Sequence, residues 1–185
     1  MSKPRVGVVG YGVIGQRLAD GVALQGDMEL AGVVDVAPTL STRALCEAGM
    51  PYDLYVVEEG QKAAFDAAGI PVTGTLDELL GSVDIVLDSS PGGVGRKNKE
   101  LYQARGVKAV FQGGEKNDIV DVFFHGYANY EKGVGKDYLK LTSCNTTGLS
   151  RLALAARPLG LSAVLGNIDR RHGDPHQHSD DLHCT

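Results

Sequence analysis

Two groups of residues in this chain have the types and spacing to do chemistry. In the first, Ser143-Cys144-Asn145-Thr146-Thr147-Gly148-Leu149, a thiol stands among hydroxyls and an amide, between an apolar run ending at Thr142 and a helical pattern starting near Thr147. A thiolate at a helix amino end is favoured by free N–H groups and by the helix dipole, and is then a nucleophile at neutral pH. The same N–H groups can steady the oxyanion formed when sulfur attacks a carbonyl, and Thr146 and Thr147 offer hydroxyls to a phosphate. The second group is Gly10-Tyr11-Gly12-Val13-Ile14-Gly15, a G-x-G-x-x-G that follows one apolar run and opens a helical pattern. There Gly10 can make a tight turn, Gly12 can let a pyrophosphate approach the backbone, and Gly15 can let helix and strand pack closely. Asp35 lies 20 positions past Gly15, where a carboxylate accepts hydrogen bonds from a ribose 2′-hydroxyl. That favours NAD over NADP, with NADP left open by the nearby Arg43. A nucleophilic sulfur and a nicotinamide site on one chain suggest aldehyde oxidation through a thiohemiacetal, hydride transfer and a thioester released to an acceptor.

The elements that must hold these groups alternate. Strand-like runs fall at Arg5 to Val9, Leu30 to Val36, Leu54 to Val57, Val83 to Leu87, Val107 to Phe111, Leu139 to Thr142 and Ala163 to Ile168. Helical patterns fall between them at Val13 to Leu24, Lys62 to Ala68, Leu76 to Leu80 behind a Thr75 cap, Lys97 to Arg105 and Thr147 to Ala156. This alternation predicts an α/β fold with a doubly wound parallel sheet of the Rossmann type. Loops at the carboxyl ends of such strands line the ligand crevice, so the segments holding Pro91, and Gly113 with Gly114, are expected beside the cofactor.

Length and composition narrow the classes. A chain of 185 residues supports one substantial core, and 43% hydrophobic with 22% charged residues excludes wholesale disorder. Glycine, 25 of 185, is the outlier and fits many tight strand-to-helix turns. The net charge of −5, without a basic cluster, argues against nucleic acid as a partner. No run approaches the roughly 18 apolar residues of a membrane span, and glycines interrupt the apolar stretch that follows Lys3 and Arg5. Three scattered cysteines, Cys46, Cys144 and Cys184, are too few for a disulfide framework and fit a reducing cytoplasm. Cys46 lies in a helical apolar pattern and reads as core.

Gly10 to Gly15, Asp88-x-x-Pro91-x-Gly93-x-Gly95, Phe111-Gln112-Gly113-Gly114-Glu115-Lys116, Gly135-Lys136-Asp137-Tyr138, Ser143 to Leu149 and Arg170-Arg171 occur in that order. In these segments the chain resembles the archaeal-type (class II) phosphorylating glyceraldehyde-3-phosphate dehydrogenases, from about residue 4 to Pro175. The resemblance implies that Cys144 is the catalytic thiol and that Ser143 and Asn145 flank glyceraldehyde 3-phosphate. It further implies that Val13, Ile14, Gly114 and Arg171 contact the cofactor, that inorganic phosphate is the acceptor, and that the family assembles as a homotetramer, most of whose interface this chain is expected to lack, with activity expected to be impaired in so short a chain. Members of that family commonly carry a basic residue where this chain has Asp35. Two other readings are an NAD-binding module without catalysis and another cysteine-dependent aldehyde dehydrogenase, such as an aspartate-semialdehyde type.

On this reading residues 1–142 form the NAD(P)-binding domain and 143–171 begin an incomplete catalytic domain with its first strand and helix. Residues 172–185 form an irregular tail, expected from a truncation or frameshift, because the family pattern stops after Pro175. The tail holds His172, His176, His178 and His183, whose spacing matches no known metal finger, so no metal site is assigned.

Overall fold

The computed structural model describes residues 2–112, 114–160 and 163. The chain runs β1 (Arg5–Val9), α1 (Val13–Ala23), β2 (Glu29–Asp35), α2 (Leu40–Glu47), β3 (Asp53–Val56), α3 (Lys62–Ala67), β4 (Gly74–Thr75) and α4 (Leu76–Leu80). It continues with β5 (Ile85–Asp88), α5 (Val94–Arg105), β6 (Lys108–Phe111), β7 (Val122–Phe124), α6 (Gly126–Gly133), β8 (Tyr138–Leu141) and α7 (Cys144–Ala156). All eight strands are parallel, in the order β4-β3-β2-β1-β5-β6-β8-β7. Successive strands β1 and β2 build outward on one side, whereas β5 and β6 build on the other. The expected doubly wound α/β fold is therefore present, and its topological switch lies between β1 and β5.

Side chains on a strand alternate between faces, and here both faces are buried. Val8 and Val33 enter one core with Ala19, Leu45, Leu54, Val56, Phe65 and Ile70, beneath α1, α2 and α3. Their neighbours Val9 and Val34 enter the other core with Leu76, Leu79, Val86, Tyr102, Ala109 and Phe111, beneath α4 and α5. Cys46, read as core, is half-buried against the first of these clusters. Thr75 opens α4 through a reciprocal capping box with Glu78, whose carboxylate accepts the Thr75 N–H at 2.6 Å.

A buried carboxylate lies under the carboxyl edge of the sheet. Asp88, 2% exposed, ends β5 and accepts from Ser90 N (2.9 Å), Asn98 Nδ2 (3.0 Å) and the Tyr102 hydroxyl (2.7 Å). Burial, and then the Asp88 charge, push the Tyr102 phenol far above its ordinary value, so it stays a donor. Tyr102→Phe is expected to destabilise the fold by about 1–2 kcal/mol, because it strips a donor from a buried anion. A urea titration checks this, and an unchanged midpoint would mean that Asn98 and Ser90 satisfy Asp88 alone.

The structure moves several boundaries and adds elements; α5, for one, begins at Val94 instead of Lys97, behind a Gly93 cap at φ +84°. α7 begins at Cys144 instead of near Thr147, because Ser143 caps it by accepting the Thr146 N–H at 3.2 Å. β4, β7 and α6 were not anticipated. The two strands have only two and three residues, too few to show a period, and α6 is kinked at Asn129. The strand expected at 163–168 lies, beyond residue 163, outside the described residues, as does the whole tail from His172 to Thr185.

Candidate active site

Because every strand is parallel, the loops that follow β1, β2, β5, β6 and β8 all emerge at one edge. The glycine-rich turn sits at the centre of that edge. Gly10 has φ +87°, and a Cβ there would come within 3.0 Å of the Ser89 carbonyl carbon in the loop after β5. Ser89 Oγ donates to the carbonyl oxygens of Val9 (3.1 Å) and Gly10 (2.7 Å), so the two loops on either side of the switch point are joined. A Cβ on Gly15 would lie 1.8 Å from Gly10 O, which leaves only glycine compatible with this turn. Gly12 differs, since a Cβ there would meet nothing within 4 Å.

Gly12 caps α1 with no side-chain hydrogen bond, and the first turn holds no acidic residue. The amino end of α1 therefore opens on free space with its N–H groups unblocked by a carboxylate. That is the geometry that receives a pyrophosphate. Val13 and Ile14, in the same turn, are 56% and 42% exposed, an apolar lip beside this opening.

At the end of β2 the Asp35 carboxylate accepts Val36 N at 2.7 Å and is also approached by the N–H groups of Ala37 and Tyr11. The Tyr11 interaction ties it to the glycine turn. Burial pushes the Asp35 carboxyl above its ordinary value, and the three backbone N–H groups oppose that without cancelling it. Arg43, which left NADP open in the sequence, donates from α2 to the Ala68 carbonyl oxygen at 3.3 Å. Gln16 of α1 donates to Ser41 Oγ of α2 at 2.7 Å and braces the rim of this half-site.

Across the switch point, Pro91 is exposed in the turn leading to α5. Gly114 is exposed after β6, whereas its neighbour Glu115 is buried. Gly113 and Arg171, both expected at the cofactor, lie outside the described residues.

Cys144 is exposed in the first turn of α7, directly after β8. The motif around it is self-bracing: Ser143 and Thr146 hydroxyls lie 3.0 Å apart, and those of Thr142 and Thr147 lie 2.6 Å apart. Asn145 and Thr146 are half-buried beside the thiol. In the sheet order β8 stands three strands from β1, a lateral offset of about 14 Å at the usual strand spacing. The structure thus puts the glycine turn, Asp35, Pro91, Gly114 and Cys144 on one edge.

Sequence reasoning assigned no role to Asp88, Glu115 or His125, all buried near this edge. Spacing does not mark the donors on α5 that hold Asp88 and Glu115, which lie 10 to 20 residues away in sequence, whereas His125 bonds its near neighbour Tyr127. His125 Nδ1 accepts the Tyr127 N–H at 3.2 Å at the start of α6, and its Nε2 is buried without a protein partner among the described residues. Among the described residues, no cluster of three or more His, Cys, Asp or Glu could hold a metal ion, and no helix is long and apolar enough to cross a membrane.

No family model matches the chain. The glyceraldehyde-3-phosphate dehydrogenase of Methanothermobacter thermautotrophicus is 46% identical over 173 residues, covering 93% of this chain and 51% of that protein. The enzyme of the same name from Thermococcus kodakarensis is 47% identical over 173 residues, covering 94% and 51%. The chain thus spans about half the length of the curated relatives it matches. Among solved structures, scyllo-inositol dehydrogenase from Lactobacillus casei with bound NAD(H) and scyllo-inositol covers 86% of this chain and 42% of its own, at 14% identity and a TM-score of 0.51. Its apo form superposes at a TM-score of 0.52. These two likenesses bear on the fold and agree with the Rossmann-type sheet. The sequence likeness goes further, and by it the chain belongs to the glyceraldehyde-3-phosphate dehydrogenase family of these archaea, corresponding to the amino-terminal half of its members.

Proposed function

We propose that this edge binds NAD and oxidises glyceraldehyde 3-phosphate through Cys144, with residues 1–142 as the cofactor-binding part and 143–171 as the start of the catalytic part. One observation carries the reading: an exposed thiol in the first turn of a helix shares the sheet edge with a glycine cradle open at Gly12. The cradle fits the cofactor, since Gly12 leaves room for the pyrophosphate at the α1 amino end and Asp35 offers an acceptor to the adenosine ribose. Gly10 and Gly15 shape the turn, and Val13 and Ile14 flank the opening. Pro91 and Gly114 belong to the nicotinamide side of this proposal, and Gly113 and Arg171, outside the described residues, are proposed cofactor contacts. NAD supplies a hydride acceptor when bound.

Cys144 attacks the aldehyde carbon, and the oxyanion that forms faces the α7 amino end. Ser143, Asn145 and Thr146 hold the substrate beside the sulfur. Loss of hydride from the hemithioacetal carbon leaves a thioester on Cys144, and inorganic phosphate displaces the sulfur to give 1,3-bisphosphoglycerate. Intact-protein mass measurement after incubation with NAD and glyceraldehyde 3-phosphate tests this. A phosphoglyceroyl adduct on Cys144 is expected, and an adduct obtained equally without NAD would sink the redox step. A cytoplasmic setting belongs to the same proposal through the scattered cysteines, and the family's homotetramer through the resemblance.

Asp35 sets the cofactor preference in this reading. Asp35→Ala is expected to weaken NADH binding about 10- to 100-fold, the range for a lost charge-assisted hydrogen bond, and to bring NADPH closer to NADH. The pH dependence has a defined sign. Because burial raises the Asp35 carboxyl, protonation removes the ribose acceptor at a higher pH than for an exposed aspartate. NADH affinity therefore falls as pH descends through that raised value. Over the same descent the unliganded fold gains stability from Asp35, since the folded chain holds this proton more tightly than the unfolded one. Fluorescence titration of NADH at a series of pH values checks the first and urea titration of the unliganded chain checks the second, and a flat NADH profile would remove Asp35 from the site.

A further inference from the structure

We infer that Glu115 is a positioning residue for the nicotinamide half of the cofactor, an inference that rests on the cofactor reading above. Of the helix amino ends that meet this edge, three flank the glycine turn and the thiol or lie between them. That of α1 is open at Gly12, and that of α7 is capped by Ser143. The amino end of α5 has a different occupant. Its cap, Gly93, has φ +84° and no side chain to offer. In its place the Glu115 carboxylate, arriving from the segment after β6 and 5% exposed, accepts Gly95 N at 2.8 Å. A carboxylate on those N–H groups excludes a second anion there, which confines a pyrophosphate to α1.

The main chain of Glu115 is held as firmly. Its carbonyl oxygen accepts from Lys140 Nζ, and Lys140 also donates to Asn117 Oδ1 at 3.1 Å. Lys140 belongs to β8, four residues before Cys144. Glu115 therefore links α5 to the strand that leads into the thiol-bearing helix, and Gly114 is bonded directly to this doubly anchored residue. A Cβ on Gly95 would come 3.1 Å from Glu115 Cγ and 3.0 Å from Phe111, so the join is closely packed as well as hydrogen-bonded.

With Asp35 taking the adenosine ribose beside β2, the other mononucleotide half lies across the switch point over β5 and β6. Gly114 lies on that side. Glu115 acts through it, by holding its backbone at a set distance from the nicotinamide, without touching the cofactor itself.

NADH and ADP-ribose, which lacks nicotinamide, separate this role from a general structural one. For Glu115→Ala the Kd for NADH is expected to rise roughly tenfold or more, while that for ADP-ribose stays within about twofold. Glu115→Gln keeps an acceptor for Gly95 N and should hold the ratio of the two constants within about twofold of the original. Glu115→Asp draws the carboxylate back by one methylene and should raise that ratio about fivefold or more. If the alanine variant lacks a cooperative thermal transition, the aspartate variant decides. Equal losses for both ligands, or no loss, would overturn the inference. An unmodified chain that binds neither ligand would instead overturn the cofactor reading on which it stands.

Discussion

Cys144→Ser is expected to abolish formation of the acyl adduct, reducing its rate by at least the order of 10³ while leaving the fold and NADH binding unchanged. The sulfur is exposed in the first turn of α7, and a serine hydroxyl there keeps the shape but not the nucleophilicity. Cys46 provides an internal control. It is half-buried against the core formed by α1, α2 and α3, so alkylation with iodoacetamide should modify Cys144 well ahead of Cys46. Peptide mapping after timed alkylation, and after incubation with NAD and aldehyde, reads both. Equal labelling of the two thiols, or an adduct that survives in the serine variant, would show that the α7 amino end does not activate this sulfur. Acylation by aspartate semialdehyde in place of glyceraldehyde 3-phosphate would keep the mechanism and change the substrate.

Gly15→Ala carries the other large effect, and Gly12→Ala is its counterpart. A methyl at Gly15 would stand 1.8 Å from Gly10 O and 3.0 Å from Ser89 Oγ. Gly10 cannot simply retreat. Its N–H donates to Val34 O at 3.0 Å, and its carbonyl holds Ser89. The clash must therefore open the joint between α1, β1 and the loop after β5, at a cost of about 2–3 kcal/mol. For a chain of this size that corresponds to a fall of very roughly 5–10 °C in Tm. NADH affinity should fall more than tenfold with it, since the displaced turn no longer presents the α1 amino end. A methyl at Gly12 meets no protein atom, so it should leave Tm unchanged and still weaken NADH by filling the pyrophosphate's space. Calorimetry and fluorescence titration on the two variants give four numbers. A Gly15→Ala chain with unaltered Tm would refute the packing argument, and a Gly12→Ala chain with unaltered NADH affinity would refute the cradle.

Much of this was legible from local pattern. The run Arg5 to Val9, the glycines that follow and the helix from Val13 were readable because each depends on neighbours within a few residues. The same holds for Thr75 as the cap of α4 and for the motif around Cys144. Where an element is short, the pattern fails. Val122–Phe124 exists as a strand because β8 offers it a parallel partner, and three residues carry no period of their own. The start of α7 was placed three residues late because its first turn is polar, and the cap that defines it is a hydroxyl hydrogen bond instead of an apolar repeat.

Taken alone, the order of residues along the chain determined the alternation of strands and helices, the glycine turn with its acidic partner at Asp35, and the thiol at a strand-to-helix junction. These are local matters of steric freedom and hydrogen-bonding type. Tertiary structure decided which loops share an edge, that β8 lies beyond β6 with β7 outside it, and that Arg43 turns to the end of α3. It also decided that Asp88 and Glu115 are buried on donors of α5. Each of these joins residues from separate elements, and the free energy that selects them comes from burying two sheet faces at once, a quantity that no short window of sequence contains.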